Sequence, residues 1–144
     1  MTLTNFPNGM QFGAVVIDDD TVTIGSTVLG ANGVTGGVAL PKQAVTVAGP
    51  TAITLKSGLV LLGRTAGAAA TTLAAPTAGT DDGKVLHLLA TTAQAHTVTV
   101  AGGANGGGAA ADVGTFGGAI GDCVTLVAYA GVWYVLANTN VTFA

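Results

Sequence analysis

The sequence predicts an all-β protein, a compact antiparallel β-sandwich or barrel-like body with an extended N-terminal arm, and three observations lead there. Strand formers fall in short runs of four to seven residues. Gly, Pro, Asn and Asp fill the gaps between the runs, as turns require. Within several runs Thr alternates with Val or Ile, the pattern of a strand buried on one side only.

In chain order the predicted strands are Phe12–Ile17, Thr21–Ile24, Ala44–Ala48, Ala52–Leu55, Leu59–Leu62, Lys84–Leu89, Thr97–Val100, Cys123–Tyr129 and Val132–Leu136. The best helical candidate is Ala66–Ala75. It contains Gly67 and the β-branched pair Thr71 and Thr72 and stops at Pro76, so at most a turn of helix is expected. Segments Thr21–Ile24, Val45–Pro50 and Thr97–Gly103 echo one another, but at irregular spacing, so no solenoid of fixed period is read. Residues 101–118 hold eight glycines and read as a free linker or, preferred because the strands on both sides belong to one sheet system, as a long surface loop pinned by Val113 and Phe116.

The last two strands form a hairpin around Ala130-Gly131. That turn sets Ala128 opposite Trp133, Leu126 opposite Val135 and Val124 opposite Ala137, one apolar surface centred on the only tryptophan. The other surface, Thr125, Val127, Tyr129, Val132, Tyr134 and Leu136, is also largely apolar, so both sides of the ribbon are expected to meet protein.

With 144 residues the chain is sized for one β-rich body, read as 17–144, preceded by residues 1–16, which read either as an extended arm with aromatic anchors or as an edge strand of the same domain. Ala, Gly and Thr supply 71 residues and aromatic side chains only 7, so the core is thin or is completed by copies of the same chain. The four basic residues, Lys42, Lys56, Arg64 and Lys84, are too scattered to neutralise a run of phosphates, which argues against nucleic acid as a partner. No apolar stretch approaches a membrane span, and the N-terminus lacks the basic and hydrophobic regions of a secretory leader; neither a membrane location nor export by that route is expected.

The chemistry of an enzyme is not written in the chain. There is no Glu, and Ser26 and Ser57 are the only serines, neither in a nucleophile elbow. Cys123 opens an apolar strand and reads as a small core residue. His87 shares a strand face with Val85 and Leu89 and reads as a packed or interface histidine; His96 reads as a strand-end hydrogen-bonding group, and Asp81 or Asp82 is near enough in sequence to pair with either. Asp18–Asp20 read as a solvated turn without the ligand pattern of a calcium loop. The glycine-rich stretches lack the strand, helix and lysine of a phosphate cradle, so no cofactor and no metal are expected.

The stretch Leu3-Thr-Asn-Phe-Pro-Asn-Gly-Met resembles the start of a family of small tailed-bacteriophage virion proteins. The stretches from Asp82 to Val100 and from Gly121 to Leu136 are similar to β-rich modules of phage head fibre, capsid decoration and tail fibre proteins. The resemblance implies a non-enzymatic capsid decoration protein, a homotrimer that binds the major capsid protein on the outside of the head. It would be found at the capsid surface of the virion, and in the host cytoplasm during assembly. It further implies an attachment arm over Leu3–Phe12, with Phe6, Pro7, Met10 and Phe12 as candidate contacts beside Trp133 and Tyr134 of the ribbon. The alternative it leaves open is a receptor-binding tip module of a tail or head fibre.

Overall fold

A computed structural model describes residues 15–18, 21–24, 27–30, 33–35, 39–105 and 111–144, with side chains from residue 39 onward except at 111. Every element among them is a β-strand, as the composition predicts. The chain divides into two compact units, 1–39 and 40–144.

In the first unit, β1 (Val15–Asp18), β2 (Thr21–Ile24), β3 (Thr27–Gly30) and β4 (Gly33–Thr35) form an antiparallel meander. Their ladder bonds join only one another, with Asp18 opposite Thr21, Ile24 opposite Thr27 and Gly30 opposite Gly33. The strands β1 to β4 thus belong to the first unit. The expected arm of residues 1–16 lies almost wholly outside the described residues, as do Asp19, Asp20 and Ser26.

The second unit holds β5 (Lys42–Val45), β6 (Thr51–Ile53), β7 (Gly58–Leu62), β8 (Ala70–Leu73), β9 (Val85–Ala90), β10 (Thr97–Ala101), β11 (Ala111–Phe116), β12 (Cys123–Tyr129), β13 (Val132–Thr139) and β14 (Val141–Phe143). They form two five-stranded sheets, one in the order β13-β12-β9-β7-β5 and the other in the order β14-β11-β10-β8-β6. The two-sheet body matches the expectation, whereas the pairing is mixed and not purely antiparallel. From β5 to β10 the chain alternates between the sheets, and each return adds a parallel strand: β5, β7 and β9 in the first sheet, β6, β8 and β10 in the second.

The three echoing segments are not equivalent: Thr21–Ile24 is β2 of the first unit, Val45–Pro50 is the end of β5 and the bend after it, and Thr97–Ala101 is β10. The winding itself has no fixed period either. Successive turns place Lys42 beside Leu59 and Leu59 beside His87, steps of 17 and 28 residues, so structurally equivalent strands recur without a fixed period. The last four strands close the body with antiparallel pairs, β11 on β10, β12 on β9, β13 on β12 and β14 on β11.

Alternate residues of each strand point into one core. Val60, Leu62, Leu86, Leu88, Val124 and Leu126 of the first sheet meet Ile53, Leu73, Val98, Val100 and Phe116 of the second. Burial runs in strict alternation along β7, β9 and β12. Trp133, fully buried, donates its indole N–H to the Ala74 carbonyl at 3.0 Å, so the largest ring in the core leaves no polar atom unpaired.

Segment Ala66–Ala75 is a strand over Ala70–Leu73 and not a helical turn. It lies between β6 and β10 with Leu73 buried in the core, and Thr71 donates from its hydroxyl to the Thr97 carbonyl at 2.8 Å. Weak helix propensity yields here to two parallel ladders. Likewise the glycine-rich 101–118 region is not one long loop. Its second part is β11, registered against β10 from Thr97-Thr115 to Ala101-Ala111, with Phe116 buried and Val113 facing out. Residues 104–105 leave the second sheet and cover the edge of the first. Ala104 bridges Trp133, Asn105 N–H donates to the Trp133 carbonyl, and Val135 N–H donates to Asn105 Oδ1 at 2.8 Å.

The C-terminal hairpin turns at Ala130-Gly131 with Ala128 opposite Trp133 and Leu126 opposite Val135. Beyond that point a bulge shifts the register, so Val124 faces Asn138 and not Ala137. The extra residue is Leu136, left largely exposed.

Both turn residues have positive φ, 49° at Ala130 and 81° at Gly131, the signature of the two-residue turn whose twist matches its strands. Ala130→Gly is expected to raise unfolding stability by about 0.5–1 kcal/mol in a denaturant melt, because only the alanine carries a Cβ penalty there. Gly58→Ala is expected to act in the opposite direction by at least about 2 kcal/mol in the same assay. At φ 120° a Cβ there would lie 2.3 Å from the Pro41 carbonyl oxygen, a backbone atom fixed by its bond to Leu59 N–H.

Candidate functional site

The polar side chains inside the second unit are engaged with the turns that carry the chain from sheet to sheet. His96, fully buried at the start of β10, accepts the Ala69 N–H at Nδ1 (2.9 Å). Its proton therefore sits on Nε2, which lies 3.0 Å from the Thr92 hydroxyl, and that hydroxyl donates to the Arg64 carbonyl at 2.8 Å. The ring is neutral, and burial, aided by the nearby Arg64 charge, holds its pKa below the ordinary imidazole value.

Asp81 accepts Lys84 Nζ and the Thr77 N–H, each at 2.7 Å, and these bonds hold its carboxyl below the usual carboxylate range. Asp82 accepts the Ala130 N–H at 2.8 Å, tying the turn before β9 to the tip of the hairpin. The bonds of Asp81 and Asp82 thus go to Lys84 and backbone, and not to a histidine as their sequence positions allowed. Asp122 accepts the Ala119 N–H and Asn140 Nδ2, which lower its pKa, and Asp112 accepts the Ala104 N–H. At the β5 edge, Gln43 Oε1 accepts the Thr54 N–H while its amide donates to the Ala52 carbonyl. Among the described residues no three His, Cys, Asp or Glu side chains gather where a metal ion could sit, and no helix is long and apolar enough to cross a membrane.

What remains on the outside is largely uncharged. The outer face of the second sheet carries Thr72, Thr97, Thr99, Val113, Thr115 and Thr142, with Thr99 beside both Thr72 and Val113, and Thr115 beside both Thr97 and Thr142. The outer face of the first sheet is largely apolar around one polar row. Its ladder sets Tyr134 beside Val127 and Val127 beside Val85; a second row runs Thr125, His87, Leu59, Lys42, and a third runs Cys123, Leu89, Leu61, Ala44. Tyr129, Tyr134 and Leu136 stand out from it at 63%, 36% and 64% exposure. His87 sits in the middle, half-buried, with Nδ1 3.0 Å from the Thr125 hydroxyl.

Of the contact residues named from sequence, Phe6, Pro7, Met10 and Phe12 lie outside the described residues. Trp133 and Tyr134, adjacent in sequence, point to opposite sides of β13. The Trp133 ring is sealed in the core and has no surface to offer a partner, while Tyr134 lies on the outer face. The second face of the hairpin was legible from alternation alone. Its continuation through Leu89 to Leu59 and Leu61 was not, because the neighbours of β12 and β9 come from distant segments.

A search against known protein families and against curated proteins finds no match to this chain.

The His96 geometry gives the body an acid-sensitive element. Because the folded ring is held neutral, the unfolded chain takes up its proton first as pH falls. Stability is expected to be full above the ordinary imidazole value of about 6.5 and to decline below it. The same sign applies to Asp81 and Asp122 at lower pH, where a further loss begins below about 4. Denaturant melts from pH 8 to pH 3 measure both steps. In the His96→Phe variant the upper step should disappear, and stability at pH 8 should drop by about 1–3 kcal/mol as the Ala69 N–H loses its acceptor.

Proposed function

We propose that the chain is a non-enzymatic structural protein of a tailed-bacteriophage virion, a decoration protein that binds the major capsid protein on the outside of the head and stabilises the shell. The observation that carries this reading is the division of labour in the second unit. Seven polar or charged side chains, Gln43, Asp81, Asp82, His96, Asp112, Asp122 and Asn140, bond to turns, strand ends or one another, while the outer faces of both sheets are largely uncharged, with Lys42 the one formal charge on the first. Such faces suit attachment by shape and apolar burial, the terms available to a protein with few charges. The resemblance in Leu3–Met10, Asp82–Val100 and Gly121–Leu136 supplies the phage context and the attachment role of Phe6, Pro7, Met10 and Phe12.

Binding only the assembled shell lowers the free energy of that state by mass action, and several copies attached together convert modest contacts into an avid one. The alternative of a receptor-binding tip rests on the exposed rings of Tyr129 and Tyr134, since Trp133 is withdrawn into the core.

Co-sedimentation with empty shells assembled from the major capsid protein of the same virus tests the proposal. Saturable binding and a raised shell melting temperature are expected, with binding lost when residues 1–12 are removed. No binding to shells, together with saturable binding to host cells that Tyr134→Ala abolishes, would replace decoration by the fibre-tip reading.

A further inference from the structure

We infer that the outer face of the first sheet is where copies of this chain meet, with the ridge along β12 and β13 of one copy seated on the shallow half, β5 and β7, of another. The resemblance implies copies that associate but not the surface they use; the inference supplies that surface and holds equally for a fibre tip.

Three observations select a second copy as the occupant. The first is shape. Tyr129, Tyr134 and Leu136 project along one side of the face, whereas the opposite side ends in Ala44 next to the half-buried Leu59 and Leu61. The projecting and the flatter parts lie on one continuous surface, with the exposed Lys42 at its far rim, so a rotated copy sets one part against the other.

The second is charge. The only formal charge on the face is Lys42, at its β5 rim. The described carboxylates lie elsewhere: Asp81 and Asp82 in the turn before β9, Asp112 on the second sheet, and Asp122 buried. A chain of net charge −3 thus presents to its own copy a surface on which like charges do not oppose. The same surface gives a nucleic acid or an acidic membrane only one cation to hold. His87 and Thr125, the polar pair at the centre, are already bonded to each other, which limits the cost of covering them.

The third is area. Five strands about 4.8 Å apart and about 20 Å long give a face on the order of 500 Å² in projection. Counted on both copies, that reaches the roughly 1,000 Å² a specific interface needs.

Light scattering coupled to size exclusion, run on the full chain over a concentration series, is the test. The wild type is expected at two or more chain masses. Leu136→Asp, on the ridge, and Leu59→Asp, on the shallow half, should each reduce it to one chain, while Thr115→Asp on the outer face of the second sheet leaves the multimer intact. Emission from the buried Trp133 confirms that each variant is folded. Leu136→Ala, which introduces no charge, should still raise the dissociation constant about tenfold. A wild type of one chain mass at every concentration overturns the inference, as does a multimer that persists in both Leu→Asp variants. Shell binding on the same samples separates the two proposals: a monomer that binds shells removes this one alone, and a multimer that does not bind them removes the other alone.

Discussion

The body depends on one constraint, that two sheets rich in small residues must fill the space between them with few large side chains. Leu, Val and Ile supply most of the core; Phe143 packs partly buried against it, and among the described residues Phe116 and Trp133 are its fully buried aromatic rings. Those two sit on opposite sheets, one on β11 and one on β13, so each arrives with the closing antiparallel segment. The parallel winding from β5 to β10 brings the apolar rows together, and the later strands complete them. Trp133 shows how closely this is specified, because its N–H ends on Ala74, the residue that follows β8. Lys56 bonds the same carbonyl from a further connection, so the ring is gripped by segments far apart in sequence.

The winding also dictates what the polar residues do. Each crossing between sheets leaves backbone groups that no ladder satisfies, and a buried N–H or carbonyl without a partner is destabilising. Gln43, Asp81, Asp122, His96 and Asn105 meet that need at separate corners. Most of the scarce charges of the described body, and the imidazole of His96, are thereby engaged in architecture, which leaves Lys42 as the formal charge and His87 as the imidazole on the outer face of the first sheet. The stabilising device and the character of the surface thus have a common origin.

Burial separates neighbours that the sequence places side by side. Trp133 and Tyr134 read alike as contact candidates, but strand alternation seals the first and presents the second. His87 and His96 divide in the same way, one on the outer face beside Thr125 and one in the core against Ala69. Aromatic character and ring chemistry identify such residues; the side of the sheet on which they fall decides what they can touch.

The sequence by itself determined the all-β class, most strand positions, the hairpin about Ala130-Gly131 and its two apolar faces, because alternation and turn chemistry act over a few residues. Tertiary structure alone decided that the sheets are mixed, that Ala70–Leu73 and Ala111–Phe116 are strands, and that the exposed hairpin face continues to Leu59 and Leu61. Those outcomes rest on distant pairing: the parallel ladders join segments 17 to 28 residues apart, β14 meets β11 across 25 to 29, and β12 meets β9 across 34 to 42. Nothing local encodes such partners, since a short Ala- and Thr-rich run becomes a strand only when flanking strands offer it ladder bonds and a core to face.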